Sequence, residues 1–219
     1  MTPNEITSVI AQGMNKTLDI PFRLALMKRV DAYRSRFVRE SLTKDPRDRA
    51  AFRQTIYIPM ESTSEVPCDI GIDDVFCTVA KSTTRVPVAL RANGIHFDYV
   101  GAIDGNNPFT LVAPGMLGIL NAGKYSKNLL SYELLNDYIV VHGLPNLPQI
   151  RIDAIFDAPT ETAEFVCQTL GSCNYWDMEY KCTNDILQMI IQYLPEHMKG
   201  EKLQPDVSVP VTDKVDPQQ

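Results

Sequence analysis

The chain has 219 residues, 44% of them apolar and 22% charged, with a net charge of −6 and five cysteines. That length suffices for one sizeable core, and no run approaches the roughly 20 uninterrupted apolar residues of a membrane span. The N-terminus lacks a basic stretch followed by an apolar one, and the odd set of cysteines has no CxxC pair, so the composition predicts a soluble cytoplasmic product with free thiols.

Thr2, Pro3 and Glu5 form a helix start: a capping hydroxyl, a proline where no amide donor is needed, and an acid in the first turn. Ile6, Val9, Ile10 and Met14 continue it at helical spacing to about Lys16. Asp19 and Pro21 restart the pattern. In this second helix Phe22, Leu26, Val30, Tyr33 and Phe37 form an apolar stripe, with Arg23, Arg34, Arg36 and Arg39 expected mostly to point away from it. It should end near Leu42, because Asp45 precedes Pro46 and the residue before a proline avoids the α region. A further turn should run from Asp45 and Pro46 to Phe52.

From Thr55 the period changes to two. Ile56, Ile58 and Met60 predict a strand, as do Val75, Cys77 and Val79, then Val86, Val88 and Leu90, then Ile95, Phe97 and Tyr99. Pro59, Pro67 and Pro87 cannot donate to a ladder, so these strands should be edges, interrupted or bulged. Asp104 and Gly105 mark a turn. Residues 113–126, APGMLGILNAGKYS, have the form of a short helix closed by Gly123. Two more strands are expected at Tyr138 to Val141 and Gln149 to Phe156. A helical stretch follows Pro159, then a clearer helix capped by Thr183 and stopped by Pro195.

The layout is α+β: an N-terminal helical arm (1–53), a central proline-interrupted, mostly antiparallel β region (54–158), C-terminal helices (159–198) and an extended tail (199–219). The tail, with Val207, Val209, Val211 and Val215 among charges, cannot form a core of its own and should be either disordered or ordered only on a partner.

Charge is unevenly spread. Residues 23–53 hold ten Lys or Arg against four acids, whereas from Asp153 onward twelve acids face four lysines. Such polarity favours head-to-tail contact between copies, or contact of the basic part with phosphate. The candidates for a subunit or phosphate contact are Arg23, Lys28, Arg29, Arg34, Arg36, Arg39, Arg47 and Arg49. Without a helix-turn-helix layout or an aromatic platform, sequence-specific DNA reading is not expected.

Catalytic chemistry finds little support. Cys77 with His96 or His142 would be a nucleophile and base, but no local signature surrounds the cysteine. Cys167, Cys173 and Cys182 lack zinc-knuckle spacing. Residues 101–107, GAIDGNN, match neither a calcium loop nor a phosphate-binding glycine loop. Asp73 and Asp74 have nothing to hold them at a catalytic separation. No catalytic, metal or cofactor residue is expected.

Longer blocks carry a resemblance. DIPFRLALMKRVDAYRSRFVRESLTKDPRDRAAFRQTIYIPMESTSEVPC (19–68), RVPVALR (85–91), FDYVGAIDG (97–105), APGMLGILNAGKYSK (113–127) and NDYIVV (136–141) together resemble the structural neck or ring proteins of crAss-like phages. The resemblance implies a non-enzymatic virion protein of the neck or tail, made in the bacterial host cytoplasm. It implies a homo-oligomeric ring, twelvefold to match the portal protein, that extends the DNA channel and serves the next tail component as a platform. A ring of this kind also allows non-specific contact with genomic DNA in its channel; the alternative reading is a non-specific nucleic-acid-binding accessory protein acting through the basic N-terminal helix.

Overall fold

The computed structural model describes residues 1–16, 19–45, 49–63, 79–90, 97–113, 116, 129–144, 146–170 and 174–198. Helix α1 (Pro3–Gly13) begins with a capping box: Thr2 Oγ1 accepts from the Glu5 amide at 3.2 Å, and Glu5 Oε2 accepts from the Thr2 amide at 2.9 Å. Two otherwise orphaned donors are thus satisfied reciprocally. Helix α2 (Ile20–Lys44) is capped by Asp19, whose carboxylate accepts from the Phe22 amide at 2.6 Å. It runs two residues past the expected end and stops at Asp45, whose extended backbone is what the following proline demands. A single turn, α3 (Arg49–Phe52), leads into the sheet.

The sheet has seven strands: β1 (Gln54–Thr63), β2 (Val79–Ser82), β3 (Tyr99–Gly101), β4 (Thr110–Leu111), β5 (Ser131–Leu135), β6 (Tyr138–His142) and β7 (Gln149–Ala154). Their order is β3-β7-β1-β2-β6-β5-β4, and every pair is antiparallel except β4 with β5. The two outermost strands are joined by the turn that the sequence places at Asp104–Gly105. There Phe109 N donates to Val100 O at 2.7 Å and Ala102 N to Asn107 O at 3.1 Å, so the sheet nearly closes on itself. Gly105 sits at φ +77° and Asp104 accepts from the Asn106 amide, an Asx turn. A Cβ on Gly101 would collide with Asn107 O and the Tyr99 ring, so the approach of β3 to the returning chain requires glycine.

Alternation decides the inside of this barrel. Ile56, Ile58 and Met60 of β1, Ile139 and Val141 of β6, and Ile150, Ile152 and Ala154 of β7 all point into one buried cluster with Val100, Phe109, Tyr132 and Phe156. Each Val, Ile, Met or Phe among them contributes roughly 1.5–3 kcal/mol of burial.

Helix α4 (Pro159–Leu170) follows β7, then a 3-10 turn (Tyr175–Asp177) and helix α5 (Asn184–His197). A second buried cluster joins Ile6 and Ile10 of α1, Leu26, Val30, Val38 and Leu42 of α2, and Ile186, Leu187, Ile190 and Leu194 of α5. Phe52, Leu90 and Ile155 belong to it as well. The helices therefore cover the end of the barrel where β1 begins and β7 ends.

Several sequence expectations shift. Val86 to Leu90 is no regular strand: Pro87 has no amide to give, and only Ala89 bridges to Phe156, flanked by Leu90 N to Ile155 O at 2.6 Å and Asp157 N to Val88 O at 2.8 Å. The strand expected around Ile95 to Tyr99 begins only at Tyr99 among the described residues and runs to Gly101. Strand β5 was not foreseen from its own residues. Thr183 stands at the N-cap of α5 but makes no side-chain capping bond, and α5 passes through Pro195 to His197. A proline in the last turn forfeits one hydrogen bond while Met198 N to Leu194 O, 3.0 Å, still closes the end. Val75, Cys77, Ile95, the helix expected over 113–126 apart from Ala113 and Met116, and the tail from 199 lie outside the described residues.

Candidate subunit interface on the basic helix

What fixes α2 in place is polar as well as apolar. Arg34 is 0% exposed. Its Nε donates to Lys181 O at 2.8 Å and its Nη1 to Phe156 O at 2.9 Å, and its guanidinium lies 6.0 Å from the centre of the Tyr180 ring. One turn earlier, Asp31 accepts from Tyr180 Oη at 2.6 Å and Thr160 Oγ1 at 2.7 Å. Ser35 Oγ donates to Asp157 O at 2.6 Å. Three residues on one face of α2 thereby hold the chain at 156–160 and at 180–181. Burial pushes the Asp31 carboxyl up to about 6, against the opposing pull of its Thr160 and Tyr180 hydrogen bonds and of Arg34. Burial also raises the Tyr180 phenol well above its ordinary value.

Arg34 was expected on the outer face and is instead the largest fully buried side chain of the described residues. The reason is local. Phe156 and Lys181 carry backbone carbonyls that no sheet or helix ladder satisfies, and arginine has enough donors in a planar fork to serve both. The network around Asp31 is what sequence reasoning missed; its partners lie 129 and 149 residues away along the chain.

The other candidates spread over the surface of α2 and beside it. Lys28, Arg29, Arg36 and Arg39 are exposed. Arg36 pairs with Glu40 at 3.1 Å and Arg39 with Asp157 at 3.0 Å, exposed contacts that hold the side chains loosely. Arg23 lies half-buried, its guanidinium 4.7 Å from the Trp176 ring centre, which ties α2 to the 3-10 turn. Arg49 is paired with Asp98 and partly buried. Arg47, like Val207, Val209, Val211 and Val215, lies outside the described residues.

Of the residues raised for catalysis, only His142 and Cys182 have described side chains. Cys77 and His96 lie outside the described residues. Burial pushes the Cys182 thiol up to about 11, which keeps it protonated and a poor nucleophile at neutral pH. His142 faces Glu133 across the outer wall of the barrel, its Nε2 3.8 Å from Glu133 Oε2. Burial lowers the His142 pKa and raises that of Glu133, so both are driven toward their neutral forms. Among the described residues no group of three or more His, Cys, Asp or Glu could hold a metal ion, and no helix is long and apolar enough to cross a membrane.

The arrangement offers a rigid, outward-facing basic helix on a barrel. Compared with known proteins, residues 22–205 match a family model described as phage tail ring protein 2. No curated protein matches the chain.

Proposed function

The chain belongs to the phage tail ring protein 2 family of crAss-like phages, and from that premise we propose that it forms a twelvefold ring in the head-to-tail connector, docks on the portal and extends the DNA channel. The observation that carries this reading is the family match, which spans nearly the whole described chain. As a ring protein of the virion it works by geometry: repeated contacts between copies set the ring, and neighbouring tail or ring components stack on it. The uneven charge supports such assembly, because a subunit with unlike surfaces joins its copies head to tail. In this reading the tail from residue 199 orders on the portal, with Val207, Val209, Val211 and Val215 as its apolar contacts.

The test is the native mass of the purified chain, alone and mixed with the portal ring of its phage. A gain by the portal species of a fixed multiple of 24.6 kDa, twelve copies per portal ring, establishes docking and counts the copies. A portal unchanged by the mixture removes it.

The exposed Lys28, Arg29, Arg36 and Arg39 favour a second reading, in which the outer face of α2 touches DNA phosphates without reading sequence. Retardation of duplex DNA at low salt, lost steeply as salt rises, is its signature. No retardation at low salt removes it.

A further inference from the structure

The buried guanidinium of Arg34 has a donor left over. Its Nε and Nη1 are engaged by the Lys181 and Phe156 carbonyls, but its Nη2 is buried with no hydrogen-bond partner among the described residues. The hydroxyl of Tyr175 is in the same position, buried and without a partner among the described residues. A bare polar group in an interior forfeits the hydration it had in the unfolded chain, and native proteins tolerate few of them.

Both groups belong to one joint. Tyr175 opens the 3-10 turn, which packs against α1 and α4. Its ring stands edge-on to Trp176, centroids 5.7 Å apart, and Trp176 in turn carries Arg23 of α2. The phenol is therefore held against the polar face of α2. Burial first, and then the nearby Asp31 carboxylate, push its pKa above the ordinary value, against the pull of Arg34. Asp31 is already occupied by Tyr180 and Thr160.

We infer that this joint binds one water molecule, whose oxygen accepts from Arg34 Nη2 and one of whose protons is donated to Tyr175 Oη. Guanidinium offers only donors, whereas a phenol oxygen accepts as well as donates, so a single molecule that does both satisfies the pair. A halide would accept from both groups, but it would also sit beside the Asp31 carboxylate, and like charges repel strongly in a buried site. A cation is turned away by the guanidinium. Water thus ties the 3-10 turn to α2, as Asp31 ties α2 to Thr160 and Tyr180.

The test is Tyr175→Phe in the full chain at pH 7.5, which keeps the ring against Trp176 and removes only the hydroxyl. With water bound, the variant loses a hydrogen bond, and its urea midpoint should fall by roughly 0.5 M at an unchanged m-value. A dry hydroxyl gives the opposite sign, because deleting a buried unsatisfied group raises the midpoint. A midpoint that rises or stays where it was overturns the inference. A crystal structure of the full chain at the same pH is the second readout, with a water expected within about 3.2 Å of both Arg34 Nη2 and Tyr175 Oη. A site without density, a chloride identified there by its anomalous signal, or a direct bond from Arg34 to Tyr175 overturns it too. Neither readout depends on ring assembly, so the ring reading stands or falls separately by native mass.

Discussion

Tyr180 donates its hydroxyl to Asp31 at 2.6 Å across 149 residues of chain, and both groups are buried. The bond closes the helical layer over the end of the barrel, since Asp31 also holds Thr160 at the start of α4. Tyr180→Phe removes one of the two donors to a buried carboxyl. The expected cost is about 1–2 kcal/mol of stability, read as a lower urea midpoint with an unchanged m-value.

The same site gives stability a pH dependence. The folded pKa of Asp31 is raised to about 6 from 3.8. The fold therefore favours the protonated carboxyl, and the associated stability is fully present below pH 3.8 and lost as pH rises through about 6. The difference amounts to about 2–3 kcal/mol across that window. Asp31→Asn should remove this component. Urea unfolding of both proteins at pH 4.5 and 7.5 checks it: the wild type loses more stability between the two than the variant does. Equal losses would show that Asp31 is not perturbed.

Arg34 and Arg36 stand two residues apart and should behave as opposites. Arg34→Ala leaves the Phe156 and Lys181 carbonyls without their donor and empties a buried volume, for an expected loss of about 3–5 kcal/mol. Arg36→Ala removes only an exposed pair with Glu40 and should leave the thermal midpoint unchanged. Thermal unfolding of the two variants side by side is sufficient.

The β5–β6 connection offers a stabilising change. Asn136 and Asp137 lie at φ 50° and 67°, the left-handed pair of a two-residue hairpin turn. Asp137→Gly places the residue without a Cβ where that conformation costs least, and should raise stability by about 0.5–1 kcal/mol by thermal unfolding. By contrast Gly101→Ala drives a Cβ into Asn107 O and the Tyr99 ring and should cost about 2 kcal/mol or more.

Deleting residues 200–219 should leave the unfolding midpoint of the fold unchanged and weaken capture by the portal ring in a pull-down. Unchanged capture would take the tail out of the docking contact.

How far the sequence could be read depended on whether the signal was local. Thr2, Asp19 and the Asp104–Gly105 turn were legible because a cap or turn is decided by bonds within three residues. The inward residues of β1 were legible from their alternation, and β6 and β7 were legible as spans. Strand β5 was not, because SYELL alternates weakly; the Asn136–Asp137 pair ahead of β6 was the signal that could have found it. Val86 to Leu90 alternates like a strand, yet Pro87 leaves it only a single bridge.

The sequence alone determined the α+β class, the caps, the uneven charge and, through long blocks of resemblance, the ring-protein family. Tertiary structure alone decided which basic residues face outward and which apolar ones lack a cover. Helical periodicity assigns Arg34 to a face but carries no record of carbonyls 122 and 147 residues away that need its donors. Periodicity says where a side chain points; whether anything lies there is settled by elements distant in the chain.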